Sequence, residues 1–270
     1  MKNIRYVVVL SIILCISIDI QAQSSDIEIS AIIKEFQKKS QAGLDTKALI
    51  VSAATQFLNT PYIGGTLEGN NEELRINLKG QDCVTFVEYA MALACTNDVD
   101  SFKSFIANLR YNGKEMDGFA SRVHYLSQWL ESLERMKIYH NFSRIGNKTT
   151  TITYSFMSDN IQYYPKLKDE GSLKVIKLEE NRLNKEKKVF KYFRFNDLDE
   201  SKLAHGDIVG FISKKKGLDF DHLGIVYVTK NGDRKLLHAS LDFKKVMITK
   251  ENLSLYLKNH KKFLGMAVIN

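Results

Sequence analysis

Gln81-Asp82-Cys83-Val84-Thr85-Phe86 sets a thiol where a turn-rich segment gives way to an apolar helical run. Val84, Phe86, Val87, Ala90, Met91, Leu93 and Ala94 are apolar on nearly every face of a helix, the pattern of a helix buried at the centre of a domain. Cys83 falls in its first turn. Unpaired backbone N–H groups and the positive end of the helix dipole favour thiolate there, and thiolate is the attacking species. Asp82 reads as the N-cap, yet its charge works against a neighbouring thiolate, so a histidine from elsewhere in the chain is the expected partner. Taken alone, a cysteine beside an apolar run is more often a core thiol than a nucleophile.

Three further segments change that balance: Pro61-Tyr62-Ile63-Gly64-Gly65-Thr66, Asp221-His222-Leu223-Gly224-Ile225-Val226-Tyr227-Val228 and Leu236-Leu237-His238-Ala239-Ser240. His222 opens a strand-like run, and His238 sits near the end of the next. The turn Lys230-Asn231-Gly232-Asp233 between them would bring the histidines side by side. Cys83 then attacks, His222 takes its proton, and His238 holds the His222 ring in one tautomer.

With these residues the chain resembles the NlpC-like superfamily of papain-fold cysteine peptidases. The resemblance rests on Pro61 to Gly65, Asp82-Cys83, Gly206-Asp207-Ile208-Val209, His222 to Val226 and His238-Ala239-Ser240. More narrowly, the chain is similar to an N-acetylmuramoyl-L-alanine amidase-like branch, formerly a family of unknown function. Its marks are Gly65-Thr66-Leu67-Glu68, Asn77-Leu78-Lys79-Gly80, Asp82 to Glu88, Ser121-Arg122-Val123-His124-Tyr125 with Trp129, and Gly217-Leu218-Asp219. Val84 and Thr85 stand where the superfamily's usual motif has serine and glycine, and the aromatic after the second glycine of the tyrosine loop is absent. Both departures favour the amidase branch over γ-D-glutamyl-diaminopimelate endopeptidases.

The resemblance implies an α+β, papain-like fold with the nucleophile helix packed on an antiparallel sheet. It further implies a cysteine amidase that hydrolyses the N-acetylmuramoyl-L-alanine bond of peptidoglycan fragments, anhydromuropeptides above all, without metal or other cofactor. Tyr62 would meet the oxyanion. Glu68, Arg122 and His124 would contact substrate; without the resemblance they read as a solvated carboxylate, a structural arginine and a satisfied histidine. Three other readings stay open. One is the endopeptidase, with the same catalytic residues. Another is a zinc amidase using His124, His222 and His238, though no His-Glu-x-x-His pair exists. The third is a wall-binding module without catalysis.

Residues 1–22 read as a signal peptide: Lys2 and Arg5, an apolar stretch from Val7 to Ile18, and Ala22 before a cleavage point. That stretch is too short to span a bilayer, which takes about 20 apolar residues. The expectation is a periplasmic or otherwise exported single domain over 23–270, with no stable membrane insertion. Cleavage leaves Cys83 and Cys95. On one helix they lie about 18 Å apart, beyond disulfide reach, and an unpaired cysteine in an exported protein invites a catalytic explanation. The formal charge of +8 comes from scattered lysines, which suits anionic wall fragments rather than nucleic acid. A monomer is expected.

Periodicity predicts helices over 26–39, 45–58, 83–95, 99–110 and 122–136. It predicts strands over 149–156, 173–176, 189–193, 207–212, 222–228, 235–238, 246–248 and 263–269. Helices followed by strands argue for an α+β domain. The segment from about 139 to 195 reads as an insert lining the cleft.

Overall fold

A computed structural model describes residues 23–39, 43–138 and 145–269, so the signal-peptide expectation for residues 1–22 lies outside the described residues. The predicted central helix is α3, Cys83–Cys95. Asp82 starts it: its Oδ1 accepts from Val84 N at 3.0 Å and Thr85 N at 2.8 Å, while Thr85 Oγ1 accepts from Asp82 N at 2.9 Å. This capping box satisfies three backbone donors at the helix entrance. Phe86, Val87, Tyr89, Ala90, Met91 and Ala92 are fully buried, as an all-round apolar helix requires.

Around α3 pack α1 (Asp26–Lys39), α2 (Thr46–Thr55), α4 (Val99–Tyr111) and α5 (Leu126–Arg135). Five antiparallel strands follow: β3 (Ile208–Ser213), β4 (Phe220–Val228), β5 (Arg234–Ser240), β6 (Lys245–Ile248) and β7 (Phe263–Ile269), in the order β6-β5-β4-β3-β7. One face of this sheet, with Leu223, Ile225, Leu237 and Ala239, closes on α3. The other, with Val226, Leu236, Phe211 and Met266, closes on α8 (Leu253–Asn259). The chain is thus a mixed α+β protein with its sheet between two apolar layers.

Between α5 and β3 the chain forms β1 (Lys148–Thr151), α6 (Phe156–Asp159), α7 (Glu170–Glu186) and β2 (Val189–Tyr192), and β1 pairs antiparallel with β2. Two sequence readings need correcting here. Residues 173–176, read as a strand, lie inside α7, whose exposed polar face the short apolar run concealed. The strand read over 149–156 stops at Thr151, and Phe156 begins α6. Helix α5 also starts later than residue 122, because its cap comes from inside: Gln128 Oε1 accepts from both His124 N and Tyr125 N at 3.0 Å.

Glycines of the motif strands fit by close approach. Gly206 has φ of +86°, and a Cβ on it would lie 2.3 Å from the Lys47 carbonyl oxygen; a Cβ on Gly224 would lie 2.6 Å from Leu236 and 3.2 Å from His238. Asp207 of the same motif is structural: it takes Lys47 Nζ at 2.5 Å and Ala204 N at 2.7 Å, tying β3 to α2. Among the described residues no helix is long and apolar enough to cross a membrane.

Candidate active site

Cys83 and His222 line one cleft of about 340 Å³, together with Gly65, Glu68, Arg122, His124, Trp129 and Tyr164. Register explains how the histidines meet. Val226 pairs with Leu236 across β4 and β5, so the even-numbered residues 222, 224, 236 and 238 share a face, and His222 and His238 are diagonal neighbours. Their rings lie 4.9 Å apart at 81°, and His222 Nε2 is 2.7 Å from His238 Nδ1.

The tautomer sets the direction of that contact: with hydrogen on Nε2, His222 donates to His238 Nδ1 and keeps its own Nδ1 bare, the form that can accept a proton. The same donation persists when Nδ1 is protonated. His238, 2% exposed, therefore needs only to accept. Burial, then its neighbour His238, holds His222 well below its ordinary value, and burial followed by His260 takes His238 down to about 3. Both are neutral at pH 7.

Cys83 is likewise uncharged at rest. Burial, then the Asp82 charge, pushes its thiol up to about 12, against the N–H groups of Leu223 and of Cys83 itself, which are directed at the sulfur. A thiol held in that form can act as a nucleophile only when a base removes its proton during attack. The other free thiol, Cys95, sits at the opposite end of the helix.

Tyr62 reaches the same neighbourhood through backbone pairing. Ile63 N donates to Gln81 O at 3.0 Å and Gln81 N to Pro61 O at 3.1 Å, which sews the tyrosine loop to the residue before Asp82. Burial, then Cys83 and Asp82, raises the phenol, so it remains a donor.

The other predicted residues, Glu68, Arg122 and His124, stand together along the same cleft. Arg122 is 6% exposed and engaged: it donates to Glu68 Oε1 at 2.7 Å and Leu67 O at 3.0 Å, with Glu72 at 3.7 Å. Glu68 stays half exposed. His124 Nε2 lies 2.8 Å from the Phe119 carbonyl, and burial followed by Arg122 lowers the imidazole to about 3. Sequence reasoning missed several neighbours. Lys166, from the segment before α7, stands 3.8 Å from Glu68 and 3.9 Å from Glu72. A buried pair, Arg110 Nε to Glu88 Oε2 at 2.7 Å, lines the same cleft. His260, which has no constellation in the sequence, stacks on Tyr256 at 3.9 Å, and Tyr256 meets His238 edge-on at 5.5 Å. Among the described residues no group of three or more His, Cys, Asp or Glu is placed to hold a metal ion.

The mixed α+β frame that carries these residues has counterparts among known proteins. The N-acetylmuramoyl-L-alanine amidase-like (AmiA-like) family matches residues 52–266, and the chain belongs to that family. A crystal structure of an N-acetylmuramoyl-L-alanine amidase from Bacteroides uniformis is 30% identical, with a TM-score of 0.76 over 83% of this chain and 98% of that one. A Bacteroides fragilis protein called a "putative xylanase" is 32% identical, with a TM-score of 0.73 over 81% and 99%. A Legionella pneumophila protein shares the fold at 20% identity and a TM-score of 0.63, over 89% and 94%. No curated protein sequence matches.

Proposed function

We propose that the chain is an exported cysteine amidase of the NlpC-like, papain-fold superfamily that hydrolyses the N-acetylmuramoyl-L-alanine bond of peptidoglycan fragments, anhydromuropeptides in particular. One observation carries this reading: a cysteine at a buried helix start shares a cleft with a neutral histidine whose Nε2 meets a second histidine.

In this reading the Cys83 thiol needs a base in its own cleft, and His222 is the candidate. Cys83 attacks the lactyl carbonyl as His222 Nδ1 takes the thiol proton. The oxyanion meets the Cys83 N–H and the Tyr62 hydroxyl. Collapse breaks the C–N bond; His222 returns the proton to the L-alanine nitrogen and a muramoyl thioester remains. A water, deprotonated by His222, attacks the thioester, releases the saccharide acid and restores the thiol. Throughout, His222 Nε2 donates to His238, which fixes the ring without changing its own protonation. Glu68, presented by Arg122, offers a carboxylate to hydroxyl or amino groups of the substrate. His124 shapes the wall beside it.

The test is acyl-enzyme capture. Rapid acid quenching during turnover of a purified anhydromuropeptide should leave the muramoyl mass on Cys83 of the parent. Hydrolysis that continues in a Cys83→Ala protein would overturn the proposal.

A further inference from the structure

A second hollow, also of about 340 Å³, shares the Asp221 wall with the cleft and is otherwise lined by Lys214, Lys215, Leu241 and Lys262. Two segments distant in sequence supply the lysines: Lys214 and Lys215 follow the end of β3, and Lys262 precedes β7. Three ammonium groups therefore face one carboxylate. Lys215 Nζ is 2.8 Å from Asp221 Oδ1. Lys214 Nζ donates to the Lys261 carbonyl at 2.5 Å and lies 5.0 Å from the Phe195 ring centre, while Lys262 Nζ lies 5.2 Å from that of Phe263. A carbonyl and two ring faces orient these cations without cancelling their charge. Leu241, 51% exposed, adds an apolar wall.

Position gives the hollow its meaning. Asp221 directly precedes His222, and its charge reaches the Cys83 thiol, as that of Lys262 reaches the His222 ring. The reacting centre thus has two compartments beside it, one aromatic-walled with its cations already paired, the other carrying surplus positive charge. The bond proposed above is asymmetric in the same sense. An uncharged disaccharide stands on its acyl side, and a peptide bearing several carboxylates stands on its amine side. Cations gathered in a partly enclosed hollow attract anions and fix their register.

We propose that the hollow formed by Lys214, Lys215, Leu241 and Lys262 binds the carboxylate-bearing peptide half of the substrate, leaving the main cleft to the saccharide. The inference rests on the amidase reading and adds which side of the scissile bond lies where.

Titration calorimetry on the full-length Cys83→Ala protein tests it with L-alanyl-γ-D-glutamyl-diaminopimelate and with the same tripeptide carrying carboxamides. The acid should bind at least about tenfold more tightly than the amide. Lys215→Gln combined with Lys262→Gln should remove that preference and leave the amide's affinity within about twofold. Equal binding of the two peptides, or a preference that survives both lysine changes, overturns the proposal. If the double variant does not fold, the acid-against-amide comparison on the Cys83→Ala protein decides. Acid-selective binding in a protein that never cuts a muropeptide would sink the amidase reading and keep the subsite; cleavage indifferent to peptide charge would do the reverse.

Discussion

Asp82 performs two tasks that one substitution pair can separate. Its Oδ1 accepts Val84 N at 3.0 Å, Thr85 N at 2.8 Å and Thr85 Oγ1 at 2.9 Å, and its negative charge is the second cause, after burial, of the raised Cys83 thiol. Asp82→Ala removes acceptor and charge together. Loss of an N-cap costs about 1–2 kcal/mol, and at about 2–4 °C per kcal/mol for a chain of this size the melting temperature should fall by about 2–8 °C. Asp82→Asn keeps an oxygen acceptor of equal capping rank, so it should melt close to the parent. Both variants lose the charge. In each, the pH profile of Cys83 alkylation by iodoacetamide, followed by peptide mass spectrometry, should move to lower pH than in the parent, where a thiol near 12 is still gaining reactivity at pH 10. The reasoning is refuted if Asp82→Asn melts as low as Asp82→Ala, or if its alkylation profile does not move.

Three further outcomes are expected. Cys83→Ser should abolish turnover at a melting temperature near the parent's, whereas Cys95→Ala should keep most of it; His222→Ala should cost about 10²–10⁴-fold in kcat, more than His238→Ala, and His238→Asn, which restores an acceptor, should recover part of the latter loss. Stability should fall with acid. The unfolded chain protonates the His238 imidazole at its ordinary 6.5 while the native state resists until about 3, so this contribution is complete above about pH 7 and fades as pH drops through that window, reaching about 2 kcal/mol lost at pH 5; denaturant midpoints that do not change between pH 7 and 5 would contradict it. Arg110→Ala should destabilise the fold by about 3–5 kcal/mol in urea melts, because it strands the buried Glu88 carboxylate.

The helix of Cys83 was legible to the residue because local signals agree there: a capping aspartate, a Thr at the third position and unbroken apolar character end together at Cys95. The β4–β5 pairing was legible from period-two runs around an Asn-Gly turn, and with it the meeting of His222 and His238. Helix α7 was not, since Leu173, Val175 and Ile176 form an apolar run short enough to suit either period. Residues 122–125 looked helical because the usual Ser or Asp cap is replaced by Gln128 reaching back from within α5. Lys166, Glu72, Arg110 and the lysine hollow carry no local mark. Each joins the site from an element remote in sequence, and only the packed fold brings them to it. Arg122 shows the converse: its motif was visible, but that its donors are taken up by Glu68 and Leu67 could be seen only in three dimensions.

The bond that is cut tests the central claim most directly. One purified 1,6-anhydromuropeptide, incubated with the protein and resolved by mass spectrometry, should yield free anhydro-disaccharide and an intact stem peptide beginning with L-alanine, with neither product formed by Cys83→Ala. A fragment that keeps L-alanyl-D-glutamate on the muramic acid would contradict the account and assign the same Cys83, His222 and His238 to an endopeptidase.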